Sequence, residues 1–170
     1  MESCLATLKG SKSPLTCLTF TNDCSTLLGS SRDSQIQFWS LKTHKRIAAI
    51  EQPDPINAIY YFNPGTEETP SPRLVMAGEA GELSILDINS KAVIAKEAKP
   101  LKQEVLYIVK ESIEKLIAVT TDHNLLFYKF NENEVARIEE WSGYLDEIID
   151  VKFLKPPTLA ILANNSEIIK

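Results

Sequence analysis

Short apolar runs alternate with polar turns along the chain. The first group of runs lies at 15–20, 26–28, 36–39 and 46–50, and turn residues such as Asn22 separate its members. Short runs bounded by Asn, Asp, Gly and Ser are typical of antiparallel strands joined by tight turns. The pattern therefore predicts a meander of four short strands.

The same group of runs returns three more times. The third run of each group begins at Ile36, Leu83, Leu125 and Ile168, and the spacings between these residues are 47, 42 and 43. A repeat of about 40–45 residues with four strands is the period of a β-propeller blade. The sequence thus predicts an all-β protein, a β-propeller of about four blades with four antiparallel strands each.

The repeats divide the chain into the parts of one propeller segment, residues 1–170. Residues 1–10 are expected to form the outer strand of a preceding blade, complete blades follow at 11–51, 52–98 and 99–141, and an incomplete blade covers 142–170. In an alternative arrangement the first strand completes the last blade and closes a small ring. That ring would need much tighter curvature than a ring of seven blades, so we expect an arc of a larger propeller.

Two segments depart from the simple pattern. Residues 103–119 have apolar positions that also fit an amphipathic helix. The repeat register instead predicts two strands there, with a turn at 111–114. Residues 63–72 contain three prolines and a glycine, which cannot extend a sheet, so we expect a loop within the second repeat.

Composition and charge narrow the class of protein. Of the 170 residues, 44% are apolar and 24% are charged, which is typical of a globular domain rather than a disordered or fibrous chain. The sequence has no run of apolar residues long enough for a transmembrane helix, and its start lacks the regions of a secretory signal. The net charge of −5 argues against a broad nucleic-acid surface, although it is compatible with a local basic patch.

Cysteine and histidine residues give no indication of disulfide or metal chemistry. Cys4, Cys17 and Cys24 are odd in number and form no CxxC motif, so we expect reduced thiols in an intracellular protein. His44 and His123 lie 79 residues apart, which offers no cluster with metal-ligand spacing. We expect no cofactor, no metal, no small-molecule substrate and no contact with a membrane.

The chain also lacks the sequence motifs of common enzymes, including the nucleophile elbow, the P-loop and the zinc-protease helix. Asp122 and His123 resemble two members of a catalytic triad, but they fall in a predicted turn without a nucleophile. Adjacent acids such as Glu139 and Glu140 point to opposite faces of a strand, so their carboxylates do not converge. We expect a protein without enzymatic activity.

Two places in the chain are candidate contact sites for partners. Lys42, Lys45 and Arg46 form the densest basic patch, which the repeat places at a turn on the rim of the first blade. This patch is either a solvated hairpin turn or a site for RNA phosphate. Trp141 lies at the end of the third repeat, where an exposed indole is a candidate protein contact.

The motif residues of the first repeat resemble those of WD-repeat proteins. In that family the third strand of a blade ends in a Trp-Asp pair and the preceding turn carries an Asp. Here Ser31 and Asp33 stand in the turn and Trp39 stands in the pair, whereas Leu86-Asp87 and Tyr128-Lys129 replace the pair in later repeats. The resemblance implies that Ser31, Asp33 and Trp39 are structural blade residues. In WD-repeat proteins these side chains form a hydrogen-bonded network with the histidine of a Gly-His dipeptide. That dipeptide is absent here, so the resemblance implies an incomplete network.

The order of motifs resembles one lineage within this family. The motifs are GSSRD at 29–33, AGEAG at 77–81, TTDHNLLFY at 120–128, GYLDEIIDVKFL at 143–154 and ANNS at 163–166. In this order they are similar to the transducin-beta-like lineage, which belongs to the UtpB subcomplex of the nucleolar small-subunit processome. Its members are longer, with two tandem propellers and a helical tail.

This resemblance implies a role in the nucleus and nucleolus. The expected function is a non-catalytic scaffold in ribosome biogenesis that supports processing of small-subunit pre-ribosomal RNA. The expected partners are other protein subunits of a large ribonucleoprotein complex, with direct or indirect contact to U-three small nucleolar RNA and pre-ribosomal RNA. The alternative is a generic WD-repeat adaptor, such as a ubiquitin-ligase receptor or signalling scaffold, because the fold alone fixes no function.

Overall fold

The computed structural model of the chain describes residues 4, 6–66, 71–97, 102–112, 114–142, 146–155, 158–164 and 168–169. The regular structure of these residues consists of strands: β1 (Leu15–Phe20), β2 (Thr26–Ser31), β3 (Gln35–Ser40), β4 (Lys45–Glu51), β5 (Ile56–Phe62), β6 (Arg73–Gly78), β7 (Ser84–Asp87), β8 (Ala92–Lys96), β9 (Val105–Lys110), β10 (Lys115–Thr120), β11 (Leu125–Phe130), β12 (Val135–Trp141), β13 (Ile148–Lys155), β14 (Thr158–Ala163) and β15 (Ile168–Ile169). Within this part of the chain, no helix has the length and apolarity needed to cross a membrane.

The strands form four separate antiparallel sheets, each a meander in chain order. Blade 1 contains β1–β4, blade 2 contains β5–β8, blade 3 contains β9–β12, and blade 4 contains β13–β15. The sheets fall one in each of the segments 11–51, 52–98, 99–141 and 142–170. No hydrogen-bonded strand of the described residues joins the fourth sheet to the first, so the blades form an open arc. The prediction of an all-β propeller segment is confirmed.

The blades stack face to face with their first strands innermost. Contacts between blades run from β1 to β5, from β5 to β9 and from β9 to β13, whereas β4, β8 and β12 lie outermost. The middle strands are covered by neighbouring strands at both edges, and their residues are almost all buried, as in β6 and β10. This position explains why the middle strands are nearly continuous apolar runs instead of alternating ones.

Three apolar clusters fill the interfaces between the blades. Leu28 and Leu74 belong to the cluster between blades 1 and 2, Leu83 and Tyr128 to the one between blades 2 and 3, and Ile117 to the one between blades 3 and 4. Burial of a large apolar side chain contributes about 1.5–3 kcal/mol, so these clusters dominate the stability of the arc.

Each blade has two rims. The upper rim carries the connections from blade to blade and the turn between the second and third strands. The lower rim carries the other two turns of the blade. The turn between second and third strands repeats one backbone feature, a residue with positive φ: Ser34 at 61°, Gly81 at 69° and His123 at 66°. Their spacing of 47 and 42 residues follows the repeat found in the sequence.

A β-bulge near the start of each innermost strand recurs in all four blades. The bulged residues are Thr16, Asn57, Leu106 and Ile149. A bulge redirects the side chains beside it. Here the redirection produces a series of hydrogen bonds between blades.

These hydrogen bonds join each innermost strand to the first residue of the next one. The Thr16 hydroxyl donates to the carbonyl oxygen of Ile56 at 2.6 Å. The Asn57 side-chain amide donates to the carbonyl of Val105 at 3.0 Å. In the third blade the Tyr107 hydroxyl donates to the carbonyl of Ile148 at 3.3 Å.

The structure decides between helix and strands at 103–119. Residues 105–110 and 115–120 form the two strands that the repeat register predicts, and the helical alternative is wrong. Of the expected outer strand at 1–10, the structure describes Cys4 and residues 6–10, and these take no regular structure. The end of this segment lies on the face of blade 1 that is turned away from blade 2, here called the free face, where the carbonyl oxygens of Lys9 and Gly10 accept hydrogen bonds from Trp39 and Arg46.

Parts of three sequence features lie outside the described residues. They are positions 67–70 of the proline-containing segment, positions 143–145 of the fourth motif and positions 165–167 after Asn164. The described flanks of the first feature, residues 63–66 and 71–72, form no strand, and Asn63 Oδ1 accepts hydrogen bonds from the backbone of Gly65 and Ser71.

Gly78 gives a direct test of how closely the chain that enters blade 2 packs against the end of β6. A Cβ atom at this position would lie 2.1 Å from the carbonyl oxygen of Pro55 and 2.9 Å from the Cα of Ile56. Both contacts are with backbone, which cannot rotate away. We predict that Gly78→Ala lowers the free energy of unfolding by about 1–3 kcal/mol, the usual range for overpacking.

Urea denaturation followed by circular dichroism measures this change. Glu79→Ala, an exposed neighbour on the same rim, is the matched control and should change stability by less than about 0.5 kcal/mol. Equal stability of the Gly78→Ala and Glu79→Ala variants would contradict the close approach of the connection between blades 1 and 2.

Candidate interaction surfaces and blade motifs

The motif of blade 1 lies at the upper rim, between β2 and β3. Ser31 is the last residue of β2, and its hydroxyl donates to the Asp33 carboxylate. The same hydroxyl lies 3.2 Å from the carbonyl oxygen of Gln35, which begins β3. The pair therefore closes the turn in which Ser34 has its positive φ, a task for which Asp and Ser side chains are suited.

Trp39 lies apart from that pair. Its side chain is 2% exposed, and its indole nitrogen donates to the carbonyl oxygen of Lys9 at 3.0 Å. The structure thus brings Ser31 and Asp33 together. Trp39 instead binds the segment around Lys9, on the free face of blade 1. The indole also takes the space beside Gly29, where a Cβ atom would lie 2.9 Å from the ring.

Blade 3 carries a second copy of the turn motif, which the sequence analysis described only as a turn. Thr120 and Asp122 stand 89 positions after Ser31 and Asp33. The Thr120 hydroxyl donates to the Asp122 carboxylate, and it accepts a hydrogen bond from the backbone nitrogen of Asn124 at 3.2 Å. The repeat spacing could have revealed this copy, because the same offset aligns Ile36 with Leu125.

Tyr128 occupies the position of Trp39 in blade 3, and it has a different partner. Its fully buried hydroxyl donates to Oε2 of Glu97 at 2.9 Å. The Nε atom of Arg137 lies 3.4 Å from the other carboxylate oxygen. Glu97 comes from the connection after β8, so this network of three side chains fastens blade 2 to blade 3. No sequence pattern indicates this network, because Tyr128 and Arg137 lie 31 and 40 positions from Glu97.

The protonation of this network reflects its burial. Glu97 is 6% exposed, and burial raises the pKa of its carboxyl above the usual value despite the Tyr128 hydroxyl and the Arg137 guanidinium. Burial, reinforced by the neighbouring Glu97 carboxylate, also raises the pKa of the Tyr128 phenol far above its ordinary value. The phenol therefore remains a hydrogen-bond donor throughout the ordinary pH range.

Blade 2 has neither part of the motif. Gly78, Ala80 and Leu86 occupy the positions of Ser31, Asp33 and Trp39. Asp87 instead forms a partly buried ion pair with Arg73 across β6 and β7. Hydrogen bonds from the backbone and then the side chain of Ser90, followed by the charge of Arg73, lower the pKa of the Asp87 carboxyl.

The basic patch of the sequence analysis separates into two parts. Lys42 and Lys45 are exposed in the turn at the lower rim of blade 1, and within the described chain neither forms an ion pair. Arg46 is turned towards the free face, where its guanidinium donates to the carbonyl of Gly10 at 3.3 Å. The two lysines are therefore the charges available to a partner.

Trp141 lies at the upper rim of blade 3, at the opposite end of the strands from these lysines. Its side chain is 41% exposed, and its ring packs on Phe127 with a centroid separation of 4.6 Å. The indole nitrogen donates to Glu139 at 2.7 Å. The packing and the hydrogen bond fix the orientation of the ring while leaving one side open to a partner.

Metal and nucleophile chemistry has no assembled site in the described residues. No three His, Cys, Asp or Glu side chains among them are placed to hold a metal ion. Cys4, Cys17 and Cys24 are free thiols. The Asp122 carboxylate contacts Thr120 and Asn124, which is the arrangement of a turn.

Comparison with known sequences finds similarity along the whole chain. No model of a protein family matches. The chain is 29% identical to transducin beta-like protein 3 of Mus musculus over 182 aligned residues and 27% identical to that of Homo sapiens over 178. Each alignment covers 99% of this chain and 22% of the relative, so the chain spans about a fifth of the length of these relatives.

Comparison with solved structures finds the same arrangement of blades. A structure of U3-55K superposes with a TM-score of 0.73 at 16% identity, covering 92% of this chain and 47% of that one. The computationally designed protein Ika4 superposes with a TM-score of 0.74 at 14% identity, and the match covers 99% of this chain and 97% of that one. The chain has the WD-repeat propeller fold. The resemblance to WD-repeat proteins, and to transducin beta-like protein 3 among them, is confirmed.

The buried carboxyl of Glu97 predicts a pH dependence of stability. Because burial raises its pKa above 4.5 in the folded protein, the protonated carboxyl contributes stability that is fully present below about pH 4.5. This contribution is lost as the pH rises through the folded-state pKa. We predict that the unfolding free energy of the protein, minus that of the Glu97→Gln variant, falls as the pH is raised from 4.5 towards 8.

Urea denaturation of both proteins across this pH range measures the difference. Glu134→Gln removes one exposed carboxyl from blade 3 and controls for the loss of a charge. A difference between the protein and Glu97→Gln that stays constant, or grows, with rising pH would contradict the assignment of burial as the dominant influence on Glu97.

Proposed function

We propose that this protein is a non-catalytic scaffold subunit in ribosome biogenesis. In this role it supports processing of small-subunit pre-ribosomal RNA within an assembly that contains U-three small nucleolar RNA. The observation that carries the proposal is the similarity to transducin beta-like protein 3 over 99% of the chain, together with the order of its motifs. A structure of U3-55K also shares the fold.

The disposition of the polar residues supports a scaffold. Asp33 and Asp122, which occupy equivalent positions in the turns of blades 1 and 3, accept hydrogen bonds from Ser31 and Thr120 within their own turns. Glu97 is committed to Tyr128 and Arg137 in the interface between two blades. Each of these acids therefore stabilises the fold, and the exposed rims are left for partners.

Two surfaces serve different partners in this proposal. Trp141, oriented by Phe127 at the upper rim, contacts a protein subunit, since aromatic residues with open faces are preferred at interfaces. Lys42 and Lys45, at the lower rim of blade 1, contact RNA phosphate. With a net charge of −5 for the whole chain, RNA contact is confined to this small patch. The proposed location is the nucleolus.

A second candidate function is a WD-repeat adaptor outside ribosome biogenesis. The fold does not distinguish the two, because a chain of the mitotic checkpoint complex superposes with a TM-score of 0.74 at 12% identity. The adaptor function requires protein partners but no pre-ribosomal RNA. Recovery of RNA therefore separates the two candidates.

The proposal predicts specific RNA recovery from cells. The tagged protein, purified after ultraviolet crosslinking, should enrich U-three small nucleolar RNA and small-subunit pre-ribosomal RNA. Lys42→Glu combined with Lys45→Glu should reduce direct crosslinks at least threefold and lower the salt dependence of RNA binding by about one unit per lost phosphate contact. Lys91→Glu, which changes an exposed lysine in the corresponding turn of blade 2, is the matched control.

The Trp141→Ala variant tests the protein contact in the same purification, with co-purifying proteins quantified by mass spectrometry. It should lose protein subunits while the folded protein is recovered intact. Purification of the intact protein without enriched pre-ribosomal RNA would refute the ribosomal role, and the adaptor function would take its place. Equal loss of crosslinks in the Lys91→Glu control would refute the assignment of the RNA contact to blade 1.

A further inference from the structure

A groove on the lower rim between blades 2 and 3 belongs to neither of these surfaces. It has a volume of about 380 Å³. Phe62 at the end of β5, Lys110 at the end of β9 and Phe130 at the end of β11 converge on it, and the turns beyond these strands form its mouth. No sequence motif indicates the groove, because it is built from the ends of three strands that lie far apart in the chain.

The floor of the groove is aromatic. Tyr60 and Phe62 lie on one face of β5 with nearly parallel rings, and their centroids are 6.4 Å apart. Phe130 meets both rings edge-on, at 6.0 Å from Tyr60 and 5.0 Å from Phe62. Tyr60 and Phe62 are half-buried, so part of each ring remains open to the groove. Open aromatic faces attract cations and planar guanidinium groups.

The structure itself shows a cation on this floor. The ammonium of Lys110 lies 5.6 Å from the centroid of the Tyr60 ring. Lys110 is the one cation among the residues that line the groove, and its place beside Tyr60 leaves the ring of Phe62 without a charged partner in the described chain.

The mouth of the groove carries an excess of negative charge. Glu114 and Glu132 line it opposite a single ammonium. Glu114 has a loose pair with Lys129 at 3.8 Å, with both side chains more than half exposed, so this pair is weak. Glu132 has no ion pair or hydrogen bond among the described residues. An apolar ligand would remove water from these carboxylates without replacing it, whereas a cation would pair with them.

We propose that this groove binds an arginine side chain presented by a segment of a partner protein. The guanidinium stacks on Phe62 and donates hydrogen bonds to Glu132 and Glu114, while the aliphatic part of the side chain packs on the aromatic floor. Arginine fits better than lysine because its planar group both stacks on a ring and donates to two carboxylates. The inference does not depend on the ribosomal role, since it concerns a surface used by neither Trp141 nor the basic turn.

A nuclear magnetic resonance titration of the full chain tests the groove. The probes are three otherwise identical Gly- and Ser-rich peptides with a central Leu-Arg-Leu, Leu-citrulline-Leu or Leu-Lys-Leu. Citrulline has the shape of arginine without its charge. The arginine peptide should shift the aromatic signals of Tyr60 and Phe62 and bind at least about tenfold more tightly than the citrulline peptide. The lysine peptide should bind with intermediate affinity.

Variants on the rim keep the test independent of folding. Glu132→Gln removes an exposed carboxylate from the groove and should weaken the arginine peptide at least threefold. Glu134→Gln, two positions further along the same turn and outside the groove, should leave the affinity unchanged. Equal affinity for the arginine and citrulline peptides, signal shifts confined to another surface, the absence of saturable shifts, or an unchanged affinity in the Glu132→Gln variant would each overturn the proposal.

Discussion

Burial of the middle strands between adjacent blades is the interaction on which the rest of the structure depends. Strands such as β6 and β10 are buried along nearly their whole length. A single hydrogen bond between blades contributes about 1 kcal/mol, whereas one fully buried Leu or Ile contributes about 1.5–3 kcal/mol. Apolar packing therefore holds the arc together, and the bonds made by Thr16, Asn57 and Tyr107 fix how one blade is positioned against the next.

Because packing supplies most of the stability, the polar motif of the blades is free to vary. Blade 1 retains Ser31 and Asp33, and blade 3 retains Thr120 and Asp122. Blade 2 lacks the motif, and at Gly78 the chain that enters this blade comes so close that no side chain fits. Between blades 2 and 3 the buried carboxyl of Glu97, from the segment that connects them, binds Tyr128 and Arg137 of blade 3.

The features that the sequence predicted are those with a regular spacing. The period of the apolar runs predicted the strands and their order, and it correctly favoured two strands over a helix at 103–119. The missed features are contacts between residues with no fixed separation, such as Tyr128 with Glu97 or the three rings of the lower groove. At 1–10 the described residues, Cys4 and 6–10, form no strand, and the carbonyl oxygens of Lys9 and Gly10 accept hydrogen bonds from the side chains of Trp39 and Arg46.

Trp141 lies on the upper rim, and the basic turn and the aromatic groove lie on the lower rim. The rigidity of the stack of blades between the rims sets the relative positions of these surfaces. Native-state hydrogen exchange measures this rigidity most directly. The account predicts that the amides of β6 and β10 exchange only through global unfolding, while those of the outer strands β4, β8 and β12 exchange faster through local opening. Exchange in β6 and β10 as fast as in β4 would contradict the claim that packing between blades holds the structure together.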